Sequence, residues 1–374
     1  MSIPKSAGGR APNRKLRVMF LGAGASKAAG LPLTEELLQH IWPRDHEKVT
    51  PWERRRTRAS WRRDLQKAVT VLYPDGGMAG FRPQVSEFFT LLEVIDRVHA
   101  GRERLPLPSN ELLRDLRGEI SSGLADACSR RVRSMATVPH YQWFKRANRP
   151  HVVITSNWDT LAEQAAIKAG LTVHLGWPTN GRGDRQALPL SANSIVVLRL
   201  HGSTDWGAVD DPNFVARSND WKYDRLDVPI QPGAHHRRTS LNGTEEIVRY
   251  RSVDAPIAAD RAAPGFNEPL MATMAAGKDY FIQGPIAAIW DDAYWCLSRA
   301  KTLDVVGYSF PADDLELRTL LRLTTRKPGD SILAEDLDLA VCNPSPDTHE
   351  RARSLLGGGL TSSFLGAGAW KAGK

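Results

Sequence analysis

Cysteine is scarce in this chain of 374 residues: there are three, Cys128, Cys296 and Cys342, odd in number and scattered. A disulfide framework is therefore excluded, and no Cys-x-x-Cys pair is present to hold a structural zinc. Long apolar runs are missing too. No stretch approaches the ~18 residues of a membrane span, and the polar opening Met1 to Lys15 lacks the apolar centre of a secretory signal. The expectation is a cytoplasmic protein with no membrane contact. There is no repeat of fixed period. Disordered or collagen-like composition is excluded as well, because hydrophobic residues make up 41% and charged ones 25%. The excess of positive charge is modest: 50 Lys and Arg against 42 Asp and Glu leave +8, which suits a phosphate-bearing ligand or a nucleic acid without requiring either.

What the chain does have is a set of short apolar runs bounded by turn residues or helical patterns. Arg17 to Leu21, Val152 to Thr155, Ser194 to Leu200, Thr302 to Val306 and Leu337 to Val341 read as buried parallel strands. Helical spacing covers Ser26 to His40, Trp158 to Ala169, Ile286 to Ala300 and Asp313 to Thr325. Strands alternating with helices predict an α/β fold with a doubly wound, mostly parallel, Rossmann-like sheet, whose ligand chemistry sits at the carboxyl ends of the strands. Two stretches break the alternation. Residues 42–149 hold helical patterns, notably Val85 to Val98 and Ser109 to Arg133, and read as an inserted helical module. Residues 207–266 are polar and poor in apolar side chains, and read as a loop or small lid over the site. The expected organisation is one catalytic unit over 16–360, with a basic tail at 1–15 and a flexible C-terminus at 361–374.

Directly after the first strand comes Gly22-Ala23-Gly24-Ala25-Ser26, followed by Gly30-Leu31-Pro32. At a strand-to-helix junction such glycines allow a tight turn and close approach to a ligand, and free N–H groups at the helix start favour a pyrophosphate. The Gly-Lys-Ser/Thr ending of a Walker loop is absent. The spacing also departs from the dinucleotide fingerprint, since the glycine after Gly24 comes six residues on instead of three. A tight turn capping an ordinary helix is the simpler alternative.

The second strand ends in Thr155-Ser156-Asn157-Trp158-Asp159, where Asn and Asp serve either chemistry or a helix cap. The third strand, Ser194 to Leu200, runs into His201-Gly202-Ser203. A histidine leaving a buried strand beside a glycine suits general-base work near neutral pH, although a lone histidine is more often structural. Convergence favours function: in a parallel sheet all three groups fall on one edge around one crevice.

These motifs, with Gly307-Tyr308-Ser309 and Asn343 further on, resemble the sirtuin superfamily in kind and in order. Members carry Gly-Ala-Gly-x-Ser leading to Gly-Ile/Leu-Pro, then Thr-x-Asn-x-Asp, His-Gly, a Gly-x-Ser loop and a strand ending in Asn. The departures are informative. Protein deacylases of the superfamily continue Gly-Ile-Pro with Asp-Phe-Arg, where this chain has Leu33-Thr34-Glu35-Glu36, and they insert a four-cysteine zinc ribbon after the His-Gly. The chain is similar instead to the zinc-less prokaryotic sirtuin-like effectors of antiphage defence, which hydrolyse NAD and deplete the infected cell. The helical insertion and the Gly-Tyr-Ser-Phe-Pro-x-Asp-Asp segment from Gly307 also look like that branch.

The resemblance implies NAD as substrate and no zinc. It implies that Gly22, Ala23, Gly24, Ala25 and Ser26 hold the pyrophosphate, with Leu31, Pro32, Thr155 and Gly202 completing the dinucleotide site. Asn157 would position water or the nicotinamide ribose, Asp159 would orient nicotinamide, and His201 would bind ribose hydroxyls and act as base. Gly307, Tyr308, Ser309 and Asn343 would hold the adenosine side. The implied activity is cleavage of NAD to nicotinamide and ADP-ribose, held in check until a partner or oligomer engages the enzyme. Two rivals remain: a protein deacylase or ADP-ribosyltransferase, and a non-catalytic nucleotide-sensing or docking subunit.

The partners expected besides NAD are a second copy of the chain, a defence protein such as a hexameric ATPase or a nucleic-acid-guided protein, and nucleic acid itself. The last would bind the basic run Arg54, Arg55, Arg56, Arg58, Arg62 and Arg63, interleaved with Trp52 and Trp61. A solvated helix face or an assembly surface accounts for the same residues. His235 and His236 have no further ligand at metal spacing. The stripe Phe88, Leu91, Leu92 and Ile95 reads as core.

Overall fold

Leu16–Leu21 form β1, a strand whose apolar residues are almost all buried. A computed structural model describes residues 16–41, 58–78, 81, 83–99, 112–113, 116, 120, 124, 127–128, 134–177, 193–209, 223–225, 246–250, 266–272, 286–325, 337–357 and 361–363. Around β1 lie β2 (Val152–Thr155), β3 (Thr172–His174), β4 (Ser194–Arg199), β9 (Ala300–Val306), β10 (Asp338–Cys342) and β11 (Thr361–Ser363). They make one seven-stranded sheet in the order β11-β10-β9-β1-β2-β4-β3, and every pairing in it is parallel. The five strands expected from apolar runs are all present. Two three-residue strands were not expected. β3 is too short to show a pattern, and β11 falls at the start of the supposed flexible C-terminus, where backbone pairing with Ala340–Cys342 replaces any need for apolar side chains.

The connections make the sheet doubly wound. From β1 the chain fills one side with β2, β4 and β3, then the other with β9, β10 and β11. The order therefore reverses between β1 and β9, and the crevice of such a sheet opens at the carboxyl ends of those two strands. Register brings Leu21 of β1 level with Thr155 of β2 and Val306 of β9, Val306 level with Cys342 of β10, and Thr155 level with Arg199 of β4. The residues that follow each of these form a single edge.

Helices cover the sheet. α6 (Leu161–Lys168) packs on β3 and β4, and α7 (Ala287–Ser298) on β1, β4 and β9. α8 (Leu315–Thr325) lies against α7 and α9 (Pro346–Leu356). α6 stops where Gly170 takes a positive φ of 88° and Leu171 N–H returns to the Ala166 carbonyl at 3.0 Å, the left-handed C-terminal cap that favours glycine.

The helix expected over Ser26 to His40 is broken in three. α1 (Ala23–Lys27) ends in a turn at Gly30, whose φ is 86°; a 3-10 turn follows at Thr34–Glu36, then α2 (Leu37–Ile41). Pro32 has no N–H to continue a helix, and the Leu33 amide is satisfied by Glu36 Oε2 at 2.8 Å. The sequence misleads here because Leu31, Leu37 and Leu38 are buried, as a continuous helix would also have them.

Between β1 and β2 no described residue is strand, and the longer elements are helices: α3 (Arg58–Leu72), α4 (Val85–His99), helical positions from Leu112 to Cys128, and α5 (Pro139–Phe144). Phe88 and Leu92 of α4 are fully buried, as expected of core. Arg58, Arg62 and Arg63 fall on α3, with Arg63 exposed; Arg54, Arg55, Arg56 and Trp52 lie outside the described residues, as do His235 and His236.

The described residues within 207–266, a stretch read as a loop or small lid, are strands. β5 (Gly202–Val209), β6 (Tyr223–Arg225), β7 (Glu246–Tyr250) and β8 (Phe266–Met271) form an antiparallel sheet in the order β6-β7-β5-β8. Ladders of backbone hydrogen bonds need no apolar run, so composition did not reveal them. Among the described residues no helix is long and apolar enough to cross a membrane.

Candidate active site

At the carboxyl edge the glycine turns of β1 and β9 lie against each other. Gly22 N–H donates to the Val306 carbonyl at 3.0 Å, Gly24 N–H to the Gly307 carbonyl at 2.9 Å, and Gly307 N–H to the Cys342 carbonyl at 3.0 Å. A Cβ on Gly22 would lie 2.6 Å from Tyr308 Cα, one on Gly24 2.9 Å from Gly307 Cα, and one on Gly307 2.1 Å from Ala25 N. These glycines therefore serve the approach of two turns to one another. The expectation of free amides is corrected in part: those of Gly22 and Gly24 are engaged, and Ala25 N–H donates to the Gly22 carbonyl at 3.0 Å.

Behind α1 sits a buried polar chain. Asn157 Nδ2 donates to the Gly22 carbonyl and to Ser26 Oγ, both at 3.0 Å. Ser26 Oγ donates to Asp159 Oδ2 at 2.7 Å, and the other oxygen, Oδ1, accepts Leu161 N–H at 3.0 Å. Asp159 thus accepts the first amide of α6 from the position before the N-cap, Thr160, and anchors Ser26 at once, a structural contact of the kind the capping alternative describes. Since a carbonyl only accepts, the Gly22 contact settles which end of the Asn157 amide is nitrogen. Its Oδ1 is left buried and has no hydrogen-bond partner among the described residues. The Asn157 backbone N–H donates to Thr155 Oγ1 at 3.0 Å, and Thr155 Oγ1 donates to the Leu21 carbonyl at 3.2 Å.

Burial perturbs the neighbouring groups. It pulls His140 on α5 down to about 4, against the opposing influence of the Asp159 charge. It pushes the Cys128 thiol well above the ordinary range, with Asp159 adding to the effect and Thr160 and Arg199 opposing it. Both responses follow from placing ionisable groups in an apolar interior.

A cavity of about 640 Å³ opens on this edge. Of the residues singled out by sequence, Ala23, Gly24, His201, Gly307, Tyr308, Ser309 and Asn343 line it. His201 follows β4, its carbonyl accepting Ala272 N–H at 2.8 Å, and Gly202 turns the chain away with a φ of 74°. Tyr308 is committed to structure as well, since its hydroxyl donates to Asp314 Oδ2 at 2.9 Å and its ring packs on Phe20 and Phe310. Burial, then the Asp314 charge, raise its pKa well above the usual range. Asn343 Oδ1 accepts Ser345 N–H at 2.9 Å, which shapes the entry to α9. Gly22, Ala25, Ser26, Thr155, Asn157, Asp159 and Gly202 stand behind this lining, while Leu31 belongs to the core and Pro32 to the turn that ends α1.

Sequence reasoning missed two groups. Gln84, Val85 and Ser86, at the start of α4, line the cavity, so the helical insertion reaches the site. Fully buried Arg199 forms a two-pronged ion pair with Glu163 of α6. A lone charge inside the apolar run Ile195 to Leu200 was the signal available for it. Among the described residues, no three His, Cys, Asp or Glu side chains group as metal ligands would.

No protein-family model matches the chain, and no curated protein does. Solved structures do. The chain is similar to a Sir2 homologue in complex with NAD at 14% identity, covering 94% of this chain and 84% of that one with a TM-score of 0.29. It is similar to a Sir2 protein in complex with an inhibitor, 2'-O-acetyl-ADP-ribose and a deacetylated peptide at 13% identity, covering 95% and 90% with a TM-score of 0.31. A third, described under the mechanism and regulation of Sir2 enzymes, shares 16% identity over 95% and 88% with a TM-score of 0.34.

Proposed function

We propose that the chain is an NAD glycohydrolase, cleaving NAD to nicotinamide and ADP-ribose as a regulated, NAD-depleting effector of antiphage defence. The observation that carries this reading is Asn157. Its amide nitrogen donates to the Gly22 carbonyl and to Ser26 Oγ, while its Oδ1 is buried with no hydrogen-bond partner among the described residues, and the preceding residue, Ser156, lines the cavity that His201 also lines. A buried acceptor without a partner is costly, which supports a donor arriving there with substrate. A water or a ribose hydroxyl supplies such a donor. The order of motifs resembles that of the sirtuin superfamily, and their meeting at the switch point between β1 and β9 supports the same reading.

In the proposed reaction the bond between the nicotinamide nitrogen and ribose C1' breaks heterolytically, and nicotinamide leaves neutral with the electron pair. Positive charge then develops on the ribose, as in other glycoside cleavages. Asn157 Oδ1 orients the attacking water, the oxygen of water bonds to C1', and its proton passes to His201. Ala23, Gly24 and Gly307, which line the cavity, face the pyrophosphate side, and Ser26 supports them from behind; Ser309 and Asn343 face the adenosine. Control comes from the helical insertion, supported by the presence of Gln84, Val85 and Ser86 in the cavity wall.

The test is to incubate purified protein with NAD and resolve nicotinamide, ADP-ribose and cyclic products. Asn157→Ala and His201→Ala should fold and lose about 10²-fold or more in turnover. His201→Ala with unchanged turnover would refute the assignment. Nicotinamide release coupled to modified protein would instead indicate a deacylase or transferase, and NAD affinity without turnover a sensing subunit.

A further inference from the structure

Arg199 ends β4 level with Thr155 of β2, and none of its surface reaches solvent. Its Nε and Nη2 donate to the two carboxylate oxygens of Glu163, itself 98% hidden within α6, and its remaining Nη1 donates to the backbone carbonyl of Asn157 at 3.2 Å. Two buried charges are a poor way to fill space, since an apolar pair of similar volume usually packs as well or better. What an apolar pair lacks is a donor for the Asn157 carbonyl. A guanidinium can hold a carboxylate with one edge and still present a nitrogen elsewhere in a rigid plane, which makes Arg suited to the task.

The rest of Asn157 is already restrained. Thr155 Oγ1 accepts its N–H, and Gly22 and Ser26 accept from its side-chain amide. Arg199 closes the remaining backbone freedom, so that Oδ1 can occupy only a narrow range of positions. Glu163 in turn fixes Arg199 and neutralises it, which keeps an unbalanced positive charge away from the ribose where positive charge develops.

We infer that Arg199 and Glu163 are a positioning pair for the proposed cleavage, with Arg199 aiming Asn157 through its backbone carbonyl; this rests on the reading of Asn157 as the side chain that orients water. Neither residue touches the substrate. Their removal should therefore change turnover much more than affinity.

The experiment compares wild type, Arg199→Met, Arg199→Lys and the double variant Arg199→Met/Glu163→Leu by melting temperature, by kcat and KM for NAD, and by hydrogen exchange of residues 155–159. Arg199→Met alone should melt far below wild type, because it takes the guanidinium away from the buried Glu163 carboxylate. The double variant should recover the melting temperature, yet lose about 10²-fold in kcat with KM changed by less than about threefold, since a misplacement of the order of an ångström is enough for that loss. Exchange in 155–159 should rise by about tenfold while β1 and β4 stay protected. Arg199→Lys, which keeps the charge but has no rigid fork, should fall between. A double variant that regains both stability and wild-type kcat, with unchanged exchange, overturns the inference and leaves the pair as packing. If the double variant does not fold, Arg199→Lys with wild-type kcat and exchange overturns it equally. If wild type does not cleave NAD the functional reading fails, and exchange in 155–159 alone then decides whether Arg199 anchors Asn157.

Discussion

Replacing Gly307 by Ala tests whether the two glycine turns must touch. Gly307 has a φ of 67°, and an added Cβ would lie 2.1 Å from Ala25 N, 2.4 Å from Gly24 C and 2.8 Å from Gly24 Cα. All three are backbone atoms, so no side-chain rotation relieves the overlap. The left-handed conformation costs a non-glycine residue ~1–2 kcal/mol, and forcing the turns apart adds ~1–3 kcal/mol of overpacking. Separation also breaks the Gly24 N–H bond to the Gly307 carbonyl, worth ~0.5–1.5 kcal/mol. The expected destabilisation is roughly 3 to 6 kcal/mol. Gly170 is the control: its φ is 88° but nothing lies within 4 Å of an added Cβ, so Gly170→Ala isolates the conformational cost of ~1–2 kcal/mol. Urea unfolding followed by circular dichroism and tryptophan fluorescence reads both variants at a common m-value. Should Gly307→Ala prove no less stable than Gly170→Ala, the close approach of the turns contributes nothing, and the account of Gly22, Gly24 and Gly307 as mutual contacts fails.

Two further outcomes are expected. Asp304 on β9 is pushed up to about 7 by burial and then by the Asp338 charge, so the unfolded chain releases this proton at lower pH than the native one. Stability should fall as pH rises from about 4 to about 7, by about 3 kcal/mol between pH 5 and pH 8, and Asp304→Asn should flatten that slope; urea midpoints at the two pH values check it, and equal slopes in both proteins sink it. Cys128, Cys296 and Cys342 are free and buried, and burial pushes the Cys128 and Cys342 thiols up, the latter to about 11. Ellman's reagent should label them slowly in the native protein and rapidly in denaturant, whereas fast native labelling of any one contradicts the burial described.

Much of the site was legible because it is built from residues adjoining strand ends. A buried parallel strand is a continuous apolar run, and the residue that follows it must lie at the carboxyl edge, so Gly22, Asn157, His201, Gly307 and Asn343 converge once the strands pair in register. The turn at Gly30 to Pro32 was hidden by leucines whose spacing suits helix and broken helix alike. The Arg199–Glu163 pair spans 36 residues, and no local pattern links a charge in a strand to one in a helix.

The sequence by itself determined the alternation of strands and helices, the edge on which the polar motifs gather and the likeness in their order, since hydrophobic period and turn chemistry are local properties. Tertiary structure alone decided what each motif residue contacts. Gly22 and Gly24 pack against the turn at Gly307, Asp159 holds Ser26 while accepting the first amide of α6, Arg199 spends its last nitrogen on the Asn157 carbonyl, and the described residues within 207–266 pair into strands. Each of these depends on which distant backbone or side chain fills the neighbouring space. That is a consequence of packing between elements far apart in the chain, and no window of the sequence contains it.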